Sequence, residues 1–397
     1  MKVLLLNQFF SPDAAPTGQL LADLAQRLIE DGCTVSVVCG RNSQTRTEMP
    51  GVLVVRAPVF PFGRGMVARF LSYGSFLLAA LWESLLQQPD LVLTMTTPPL
   101  LSLMGTLVSW RRGARHFIWE MDVYPDVAVE LGVLRRGAWW TCVLGVVADA
   151  ARRRADGIIV LGSCMRERLL GHGVPPEKIH LVENWADGES IRPQRRSTAN
   201  GGLHVLYSGN LGMAHEVETI LGVMEALKDD GRFRFTFAGG GSRRAAMEAS
   251  CRRQDLRHVT FSPYCDRELL SGELAKADLG LVTQRPECLG FTVPSKVYGL
   301  MAAARPFLFI GHREATPSQI ADRYRCGWQA ECGDVQGVVN LLIGLIERPE
   351  LMEQAGDRGW GAFVREYDRP VGTARISVIL GASAPPEKYM TANVSLI

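Results

Sequence analysis

The sequence predicts an α/β protein built from two successive units, each with a parallel β-sheet covered by helices on both faces. Short apolar segments of strand length alternate with amphipathic helical segments through the first half of the chain. A polar, irregular stretch at residues 187–202 interrupts this alternation, which then restarts. The length of 397 residues also favours two domains over one.

The first unit is predicted over residues 1–186. Its buried strands are expected at residues 3–6, 34–39, 52–57, 91–95, 116–119 and 157–161. A helix is expected at residues 20–30, because Leu20, Leu24 and Leu28 recur on one helical face and a glycine at position 32 ends the pattern. Helices between most of these strands make a parallel sheet the expected arrangement.

The second unit is predicted over residues 187–364. Its strands are expected at residues 203–207, 233–238, 259–261, 279–283, 307–310 and 328–330, with a helix at residues 216–228. Residues 382–397 show little periodicity, and we expect this tail to be partly disordered.

Composition narrows the functional classes. A net charge of +2 argues against a basic nucleic-acid-binding protein, so no nucleic-acid partner is expected. Nine cysteines without a C-x-x-C pair favour a reducing compartment over a disulfide scaffold. Neither an H-x-x-x-H nor an Asp-x-Asp pair occurs, so no metal is expected. No apolar run reaches the roughly 18 residues of a membrane span, and the apolar N-terminus is interpreted as a strand rather than a signal peptide.

One lysine stands at a predicted helix start. Pro294 cannot extend a strand and Ser295 can cap a helix, so Lys296 falls in the first helical turn. A helix N-terminus attracts anions, and the lysine adds a full positive charge. This arrangement favours a phosphate or pyrophosphate site.

The stretch around Lys296 resembles the C-terminal signature of the GT4 family of retaining glycosyltransferases. It is most similar to the bacterial branch that builds cell-surface polysaccharides, such as the colanic-acid and N-acetyl-fucosamine transferases. The sequence departs from the signature at Gly299, where the family has a glutamate, and at Ala304, where it usually has glycine. The matching residues are Pro294, Ser295, Lys296, Tyr298, Met301, Ala302 and Pro306.

This resemblance implies the GT-B fold, in which two Rossmann-like domains face each other across a cleft. It implies that residues 1–186 bind the acceptor and that residues 187–364 bind a nucleotide-sugar donor. A helix at about residues 365–380 would cross back onto the first domain. The nucleotide sugar would be the co-substrate, and no further cofactor is implied.

Two glycine-containing turns follow the first strand of a unit. Gly209, Asn210 and Gly212 resemble the Gly-Asn-x-Gly turn of the same branch, in which free backbone N–H groups and the asparagine side chain would hold the pyrophosphate. In the first unit, Gly18 lies in the loop at residues 11–19, and the resemblance implies that this loop faces the donor phosphates and the acceptor. A plain strand-to-helix turn is the alternative at Gly18.

Further donor contacts are expected in the second unit. Three glycines at 239–241, namely Gly239, Gly240 and Gly241, leave room for a flat ring or a ribose, although they could equally form a flexible connection. Tyr264 would stack on the nucleobase or be an ordinary half-buried aromatic residue. The resemblance implies that the segment of Gly290, Phe291 and Thr292 offers backbone N–H groups to the donor sugar and β-phosphate.

An acidic motif follows the strand at 116–119 and resembles the Asp-x-(Trp/Tyr)-Pro-(Glu/Asp) motif of the branch. Carboxylates at the carboxyl end of a strand lie where open α/β sheets bind ligands. Asp122 and Asp126 are expected to hold acceptor hydroxyls, with Glu120 and Thr17 as further acceptor contacts. Asp126 could instead cap a helix after its preceding proline. Asp122 and Lys296 are the expected catalytic residues.

Two segments resemble lipid-interface helices. Residues 64–82 and 135–147 each begin with arginine and continue with tryptophan or other apolar side chains. Arg111, Arg112 and Arg115 lie between them in sequence. The alternative is that both segments are core helices of the first unit. Because the family's acceptors are commonly lipid-linked sugars, we expect peripheral binding to the cytoplasmic face of the inner membrane.

Taken with the resemblance, these features predict a retaining glycosyltransferase that moves a sugar from a nucleotide diphosphate, with UDP as the expected nucleotide, to a lipid-linked saccharide. One alternative is an isomerase on the same fold, similar to nucleotide-sugar 2-epimerases, for which His215 and Glu287 are the candidate acid/base residues. Another is a non-catalytic binding protein, since neither Gly299 nor Phe291 is acidic. A dinucleotide oxidoreductase is disfavoured because no G-x-G-x-x-G follows the first strand.

Overall fold

The computed structural model describes residues 1–11, 15–41, 49–60, 66–194 and 202–384. Three sequence predictions fall partly outside these ranges: the loop at 11–19, the start of the apolar segment at 64–82, and the interdomain stretch at 187–202. The tail expected at 382–397 lies almost entirely outside them.

The chain divides into two compact units, and the prediction of two α/β units with parallel sheets is confirmed. The first unit comprises Met1–Glu183 together with the described residues from Pro370 onward, and the second comprises Asn184–Arg369. The roles in acceptor and donor binding that the sequence predicts for these two parts remain predictions.

The sheet of the first unit has the strand order β3-β2-β1-β4-β5-β6-β7, and its adjacent strands are parallel. Because helices cover both faces, strands such as β1 are buried along almost their whole length. The short strand β7 was not predicted, since only its first residue, Ile179, is buried. The strands are β1 (Lys2–Leu6), β2 (Thr34–Gly40), β3 (Val52–Ala57), β4 (Leu91–Thr94), β5 (Arg115–Trp119), β6 (Gly157–Val160) and β7 (Ile179–Leu181).

The helices of the first unit connect these strands in the crossover manner of parallel sheets. The first helix begins at Pro16 rather than at Leu20, because a proline suits the first helical position. The helices are α1 (Pro16–Glu30), α2 (Met66–Leu85), α3 (Leu101–Arg112), α4 (Asp126–Glu130), α5 (Trp139–Arg154) and α6 (Ser163–Gly171). Helix α3 packs against both α2 and α5.

The sheet of the second unit has the strand order β10-β9-β8-β11-β12-β13 and is also parallel. One apolar cluster on this sheet is centred on Phe233, Phe235 and Leu308, and another on Phe307, Phe309 and Tyr298. The strands are β8 (Leu203–Ser208), β9 (Phe233–Ala238), β10 (Val259–Ser262), β11 (Leu279–Thr283), β12 (Phe307–Ile310) and β13 (Gly327–Ala330).

Seven helices of the second unit lie between or after these strands in the described sequence. They are α7 (Glu218–Ala226), α8 (Arg244–Arg253), α9 (Leu270–Ala275), α10 (Lys296–Ala302), α11 (Thr316–Tyr324), α12 (Val335–Glu347) and α13 (Glu350–Ala362). Because β8, β9 and β11 are neighbours and parallel, the turns after them meet at the carboxyl edge of the sheet.

The last helix, α14 (Arg369–Ile379), lies mostly in the first unit. Its Ser377 hydroxyl donates to the carboxylate of Asp31 at the end of α1. Just beyond the helix, the carbonyl of Leu380 accepts a hydrogen bond of 2.8 Å from Arg115. In the described ranges, no helix combines the length and apolar character needed to cross a membrane.

Candidate functional site

The carboxyl edge of the second sheet gathers three polar turns. Gly209 and Gly212 follow β8, Gly239 follows β9, and Lys296 opens α10 after β11. The strand order places β9, β8 and β11 side by side, so these turns are brought together by the sheet. Ligands of open α/β sheets bind at such an edge, and the residues expected for phosphate binding lie there.

Lys296 extends along the turn that follows β8. Its Nζ lies 3.3 Å from Nε2 of His215 and 4.8 Å from the ring centroid of Tyr207. A Cβ on Gly209 would lie 2.9 Å from Cε of Lys296, so glycine is the residue that leaves room for this side chain. Within the described part of the second unit, Lys296 forms no ion pair with a carboxylate.

The protonation state of His215 follows from its hydrogen bonds. Its Nδ1 lies 2.7 Å from the carbonyl oxygen of Thr283, and a carbonyl can only accept, so Nδ1 carries the proton. The lone pair of Nε2 therefore faces Lys296 and accepts from its ammonium group. Burial, followed by the charge of Lys296, lowers the pKa of His215 to about 3, so the imidazole is neutral at physiological pH.

Burial also lowers the pKa of Lys296, to about 8. The ammonium group is held by a neutral imidazole and an aromatic face, neither of which cancels its charge. An anion bound at this edge would supply the missing negative charge. The arrangement therefore suits a phosphate better than it suits a neutral ligand.

The glycines of these turns differ in whether their backbone N–H groups are available to a ligand. The N–H groups of Gly209 and Gly239 donate to the carbonyls of Ala238 and Ser262, so the prediction of a free N–H at Gly209 is wrong. These two glycines are required instead by backbone angles of +126° and +130° in φ. Among the described residues, the N–H groups of Gly212, Gly240 and Gly241 have no acceptor.

Tyr264 and Asn210 lie beside these turns. A Cβ on Gly240 would lie 2.9 Å from Cε2 of Tyr264, so the tyrosine ring packs against this glycine. The tyrosine Oη is 3.5 Å from Oδ1 of Asn210, and 59% of the residue is exposed. Tyr264 is thus not a half-buried core residue, and its ring is accessible to a flat ligand.

The segment after β11 has fewer free backbone N–H groups for a donor than the sequence predicts. The N–H of Phe291 donates to the carbonyl of Cys288, and its side chain is buried, so this N–H is not available to a donor. Gln284 holds the carbonyl of Thr292 at 2.8 Å, while Gly290 turns the chain at a φ of +78°. Ser295 precedes α10 without a capping side-chain bond, so its predicted capping role is wrong.

Gly299 replaces the glutamate of the family signature on α10. A Cβ at this position would lie 3.8 Å from Cδ1 of Ile191 and 3.8 Å from Cδ1 of Leu274. Both neighbours are buried apolar residues. The side of α10 on which the family carries a carboxylate is therefore apolar in this chain.

In the first unit, the acidic motif forms a loop between β5 and α4. Asp122 is partly buried, and its N–H donates to Oγ1 of Thr96 at 3.3 Å. Burial, with a smaller contribution from the charge of Glu120, raises the pKa of Asp122 to about 6. Its carboxylate is thus poised to gain or lose a proton near neutral pH.

The two other acidic residues of this loop are held by the protein itself. Glu120 and Arg152 are each 3% exposed and form an ion pair of 2.7 Å, which leaves Glu120 no access to an acceptor sugar. Asp126 is the first residue of α4, after Pro125, so it does not cap this helix. Its Oδ2 instead faces Nε2 of His172 at 3.4 Å.

Thr17 and Gly18 lie within the first turn of α1 rather than in a preceding loop. The N–H of Gly18 donates to the carbonyl of Ala15, and a Cβ here would lie 3.1 Å from the backbone of Phe10. Gly18 therefore permits a close helix–backbone approach. The hydroxyl of Thr17 lies 3.4 Å from Nδ2 of Asn7.

Sequence reasoning missed several residues around Lys296 and around the acidic loop. His215 follows the glycine turn by three positions, and its role as the partner of Lys296 could have been inferred from that proximity. Tyr207 ends β8 and gives no signal beyond that of a core aromatic residue. Arg152 is 32 positions from Glu120, and no local pattern connects the two.

Comparisons with known proteins match both halves of the chain. The sequence model of the Glycosyl transferase 4-like domain matches residues 17–185. The chain is 27% identical to the probable glycosyltransferase WbjE of Pseudomonas aeruginosa over 307 residues, which cover 72% of this chain and 75% of that protein. It is 24% identical to the putative colanic acid biosynthesis glycosyl transferase WcaI of Escherichia coli over 381 residues, which cover 87% of this chain and 91% of that protein.

Solved structures give a likeness of fold. HepE of Anabaena, in complex with UDP, has a TM-score of 0.74 at 13% identity and covers 96% of this chain and 100% of its own. WaaG, a glycosyltransferase involved in lipopolysaccharide biosynthesis, has a TM-score of 0.71 at 12% identity with the same coverage. Sucrose-phosphate synthase of Thermosynechococcus elongatus has a TM-score of 0.76 at 15% identity and covers 96% of this chain and 98% of its own.

Proposed function

The chain belongs to the GT4 family of glycosyltransferases, and on that premise we propose that it transfers a sugar from a UDP-sugar to a lipid-linked saccharide with retention of configuration. The role lies in the synthesis of a cell-surface polysaccharide, as for the colanic-acid branch that WcaI represents. The site in the second unit binds the donor, and the acidic loop of the first unit binds the acceptor.

The observation that carries this proposal is the position of Lys296. Its ammonium group is partly buried, has no carboxylate partner in the described part of its unit, and lies along a turn with a free N–H at Gly212. A diphosphate would pair with the ammonium group and accept from such N–H groups. A neutral sugar alone would leave the lysine charge uncompensated.

The neighbouring turn supports a nucleoside diphosphate rather than inorganic diphosphate. Tyr264 presents an exposed ring beside Gly240, where a nucleobase would stack. HepE, which has the same fold, was solved with UDP and with UDP-glucose. Uridine is therefore the base we propose, although Gly299 leaves the ribose without the family's carboxylate.

The proposed reaction needs no enzyme nucleophile. The acceptor hydroxyl oxygen attacks the anomeric carbon on the face from which the diphosphate leaves, and the leaving phosphate oxygen takes the hydroxyl proton. Lys296 stabilises the negative charge that grows on the leaving diphosphate. Asp122 accepts a hydrogen bond from a second hydroxyl of the acceptor and thereby orients the attacking hydroxyl, whose own proton passes to the phosphate.

The isomerase alternative needs an available acid/base residue. Its two candidates were His215 and Glu287. Nδ1 of His215 is bonded to Thr283 and Nε2 faces Lys296, and the carboxylate of Glu287 lies 3.4 Å from Nε of Arg285. Neither ring nitrogen of His215 is left to move a substrate proton. The geometry thus favours transfer over isomerisation.

We also propose that the first unit binds the cytoplasmic face of the inner membrane through the outer faces of α2, α3 and α5. Trp110 of α3 is 82% exposed, and α3 packs between the other two helices. The exposed apolar residues are Val67, Phe70, Leu71, Leu78, Trp82, Leu107, Trp110, Trp139, Trp140, Val143 and Val146.

The charges on these helices fit anionic lipid. Exposed arginines accompany the apolar residues, and the three helices contain two acidic residues, Glu83 and Asp149, of which Asp149 is bonded to Arg152. Tryptophan and arginine are residues that favour the lipid interface. The exposed arginines of the three helices are Arg69, Arg111, Arg153 and Arg154, and the exposed Arg135 and Arg136 lie just before α5, where Arg136 pairs with Glu130.

Calorimetric titration tests the donor site. UDP, UDP-glucose and GDP are titrated into the wild type, Lys296→Ala and a control, Lys276→Ala, whose side chain pairs with Glu273 on the surface of the same unit. We expect Lys296→Ala to weaken UDP binding by about 10- to 100-fold, because a charge-assisted hydrogen bond contributes about 1.5–3 kcal/mol. Lys276→Ala should bind like the wild type. Absence of UDP and UDP-glucose binding in the wild type would refute the proposed donor site.

Co-sedimentation with vesicles tests the membrane surface. Phosphatidylglycerol vesicles should retain the wild type better than phosphatidylcholine vesicles do. Trp110→Ser combined with Trp139→Ser should reduce retention, whereas Trp360→Ser, which changes an exposed tryptophan of the second unit, should not. Equal retention of all three proteins would exclude the α2–α3–α5 surface as the contact.

A further inference from the structure

We propose that Arg152, together with Asp149 and His172, clamps both ends of the acidic loop at residues 120–126 and so positions Asp122. Arg152 is a positioning residue, because it acts on the reaction through the loop and does not touch a substrate. The inference rests on the proposed function only for the role of Asp122 at the acceptor. The clamp itself is carried by contacts within the first unit.

The first end of the loop is held by the guanidinium group of Arg152. Its Nη2 donates to Oε1 of Glu120 at 2.7 Å, and its Nε lies 3.3 Å from Oε2 of the same carboxylate. The same Nη2 donates to the carbonyl of Tyr124 at 2.8 Å. One planar group thus contacts the loop two residues before Asp122 and two residues after it.

The second end is held by His172, which follows α6. Nη1 of Arg152 donates to Oδ1 of Asp149 at 2.9 Å, and Oδ2 of Asp149 lies 3.1 Å from Nδ1 of His172. Nε2 of His172 then faces Oδ2 of Asp126 at 3.4 Å. The chain of contacts starts at Glu120 and returns to the same loop at Asp126.

The charges in this chain support one another. The hydrogen bond to Asp149 raises the pKa of His172, which favours the charged imidazolium between two carboxylates. Burial alone would raise the pKa of Asp149, but hydrogen bonds from His172 and Arg152 lower it below its usual value. Arg152 therefore lies between two carboxylates, and Asp149 lies between Arg152 and His172, so these buried polar groups have partners of complementary chemistry.

Asp122 stands between the two clamped ends with its carboxylate outside the network. The groups that face it are Glu120 and Tyr124 of its own loop, Tyr73 of α2, and Thr96 after β4, and Arg69 of α2 acts on the two tyrosines. Glu120 raises the pKa of Asp122, and Arg152 is the ion-pair partner of Glu120. Removal of Arg152 would therefore change both the loop and the charge that Asp122 experiences.

The experiment follows the titration of Asp122 by carbon-13 NMR of protein labelled at the aspartate carboxyl carbons. The signal is identified by its loss in Asp122→Asn. The variants are Arg152→Gln and Glu120→Gln, and the control is Arg136→Gln, which removes an exposed arginine paired with Glu130 in the same unit. Amide hydrogen exchange of residues 120–126 is measured on the same proteins and on Arg152→Lys.

We expect the wild-type midpoint near pH 6. Arg152→Gln should raise it by about one pH unit, because the cation paired with Glu120 is removed, and Glu120→Gln should lower it. Arg136→Gln should leave it in place. If the Arg152–Glu120 pair only supported the fold, the Arg152→Gln and Glu120→Gln variants would not shift the Asp122 midpoint in opposite directions.

Arg152→Lys keeps the positive charge but cannot make the forked contacts, so hydrogen exchange in residues 120–126 should rise while the Asp122 midpoint stays near that of the wild type. If Arg152→Gln does not fold, these measurements on Arg152→Lys test the inference by themselves. An unchanged midpoint in a folded Arg152→Gln, or unchanged loop exchange in Arg152→Lys, would overturn the inference. UDP binding measured on these variants should equal that of the wild type, so a failure of the donor proposal would already show in the wild type and would not be confused with a failure of this inference.

Discussion

The two units each contain a sequestered cation, and the surroundings of these two cations differ. Arg152 in the first unit has two carboxylate partners, Glu120 and Asp149. Lys296 in the second unit has a neutral imidazole and a tyrosine ring. A buried charge that is compensated within the protein maintains a structure, whereas one that is left uncompensated is available to a ligand anion.

The pKa directions express the same contrast. Burial alone would lower the pKa of Arg152, but its contacts with Glu120 and Asp149 raise it well above the usual arginine value. Burial lowers the pKa of Lys296 to about 8, with no opposing carboxylate in the described part of its unit. The first unit therefore gains stability from its cation, and the second unit tolerates its cation at the expense of stability.

The largest effect is expected for Arg152→Met. This substitution leaves Glu120 buried and unpaired, so the free energy of unfolding should fall by about 3–5 kcal/mol. Chemical denaturation followed by circular dichroism measures the change. Combining Arg152→Met with Glu120→Leu should recover part of the loss, because both charges are then absent. A loss below about 1 kcal/mol, the range of exposed ion pairs, would contradict the compensated state of Arg152.

A stability change of the opposite sign is expected for Lys296→Met. Each pKa unit corresponds to about 1.4 kcal/mol, and after allowance for partial exposure the variant should be about 1–3 kcal/mol more stable than the wild type at pH 7. The same variant should bind UDP weakly. Denaturation of the ligand-free proteins measures the gain.

The gain from Lys296→Met also has a defined pH dependence. The folded-state pKa of about 8 lies below the ordinary lysine value of 10.5, so the lysine charge destabilises the folded protein at pH 7. This cost disappears as the pH rises from about 8 to 10.5, and the difference between variant and wild type should shrink over that window. Destabilisation by Lys296→Met at pH 7 would contradict the uncompensated state of Lys296.

The sequence predicts the surroundings of Lys296 better than it predicts those of Arg152. The alternation of strands and helices predicts both parallel sheets, and the neighbouring structures confirm the GT-B fold. Lys296 is identifiable because a local pattern, proline and serine before a helix, places it at an edge where anions bind. The sequence correctly placed Gly209 and Gly239 in turns at this edge, although their N–H groups donate to Ala238 and Ser262 and are not free.

The acidic loop shows where sequence reasoning ends. Strand alternation cannot decide which of Glu120 and Asp122 faces inward, because that choice depends on a partner 32 residues away. Arg152 lies in a run of three arginines at the end of α5, and the sequence does not distinguish the buried one from the two exposed ones. Long-range ion pairs of this kind are decided by tertiary packing, which leaves no periodic trace in the sequence.

The smallest effect that we expect from the uncompensated charge of Lys296 is the pH dependence of UDP binding. Binding requires the protonated form of Lys296, so affinity should fall as the pH rises through about 8. Between pH 7 and pH 9 we expect a decrease of about tenfold, since roughly one lysine in ten remains protonated one unit above its pKa. Calorimetry in buffers of constant ionic strength measures this decrease.

Two controls assign that pH dependence to Lys296 rather than to the acidic loop. Lys296→Ala should bind UDP weakly and with nearly constant affinity over the same range, because its titrating cation is absent. Asp122→Asn should keep the wild-type decrease, since Asp122 titrates near pH 6 and belongs to the other unit. A decrease that persists in Lys296→Ala would mean that another group recognises the diphosphate, and the contrast between the two cations would no longer explain which of them meets the ligand.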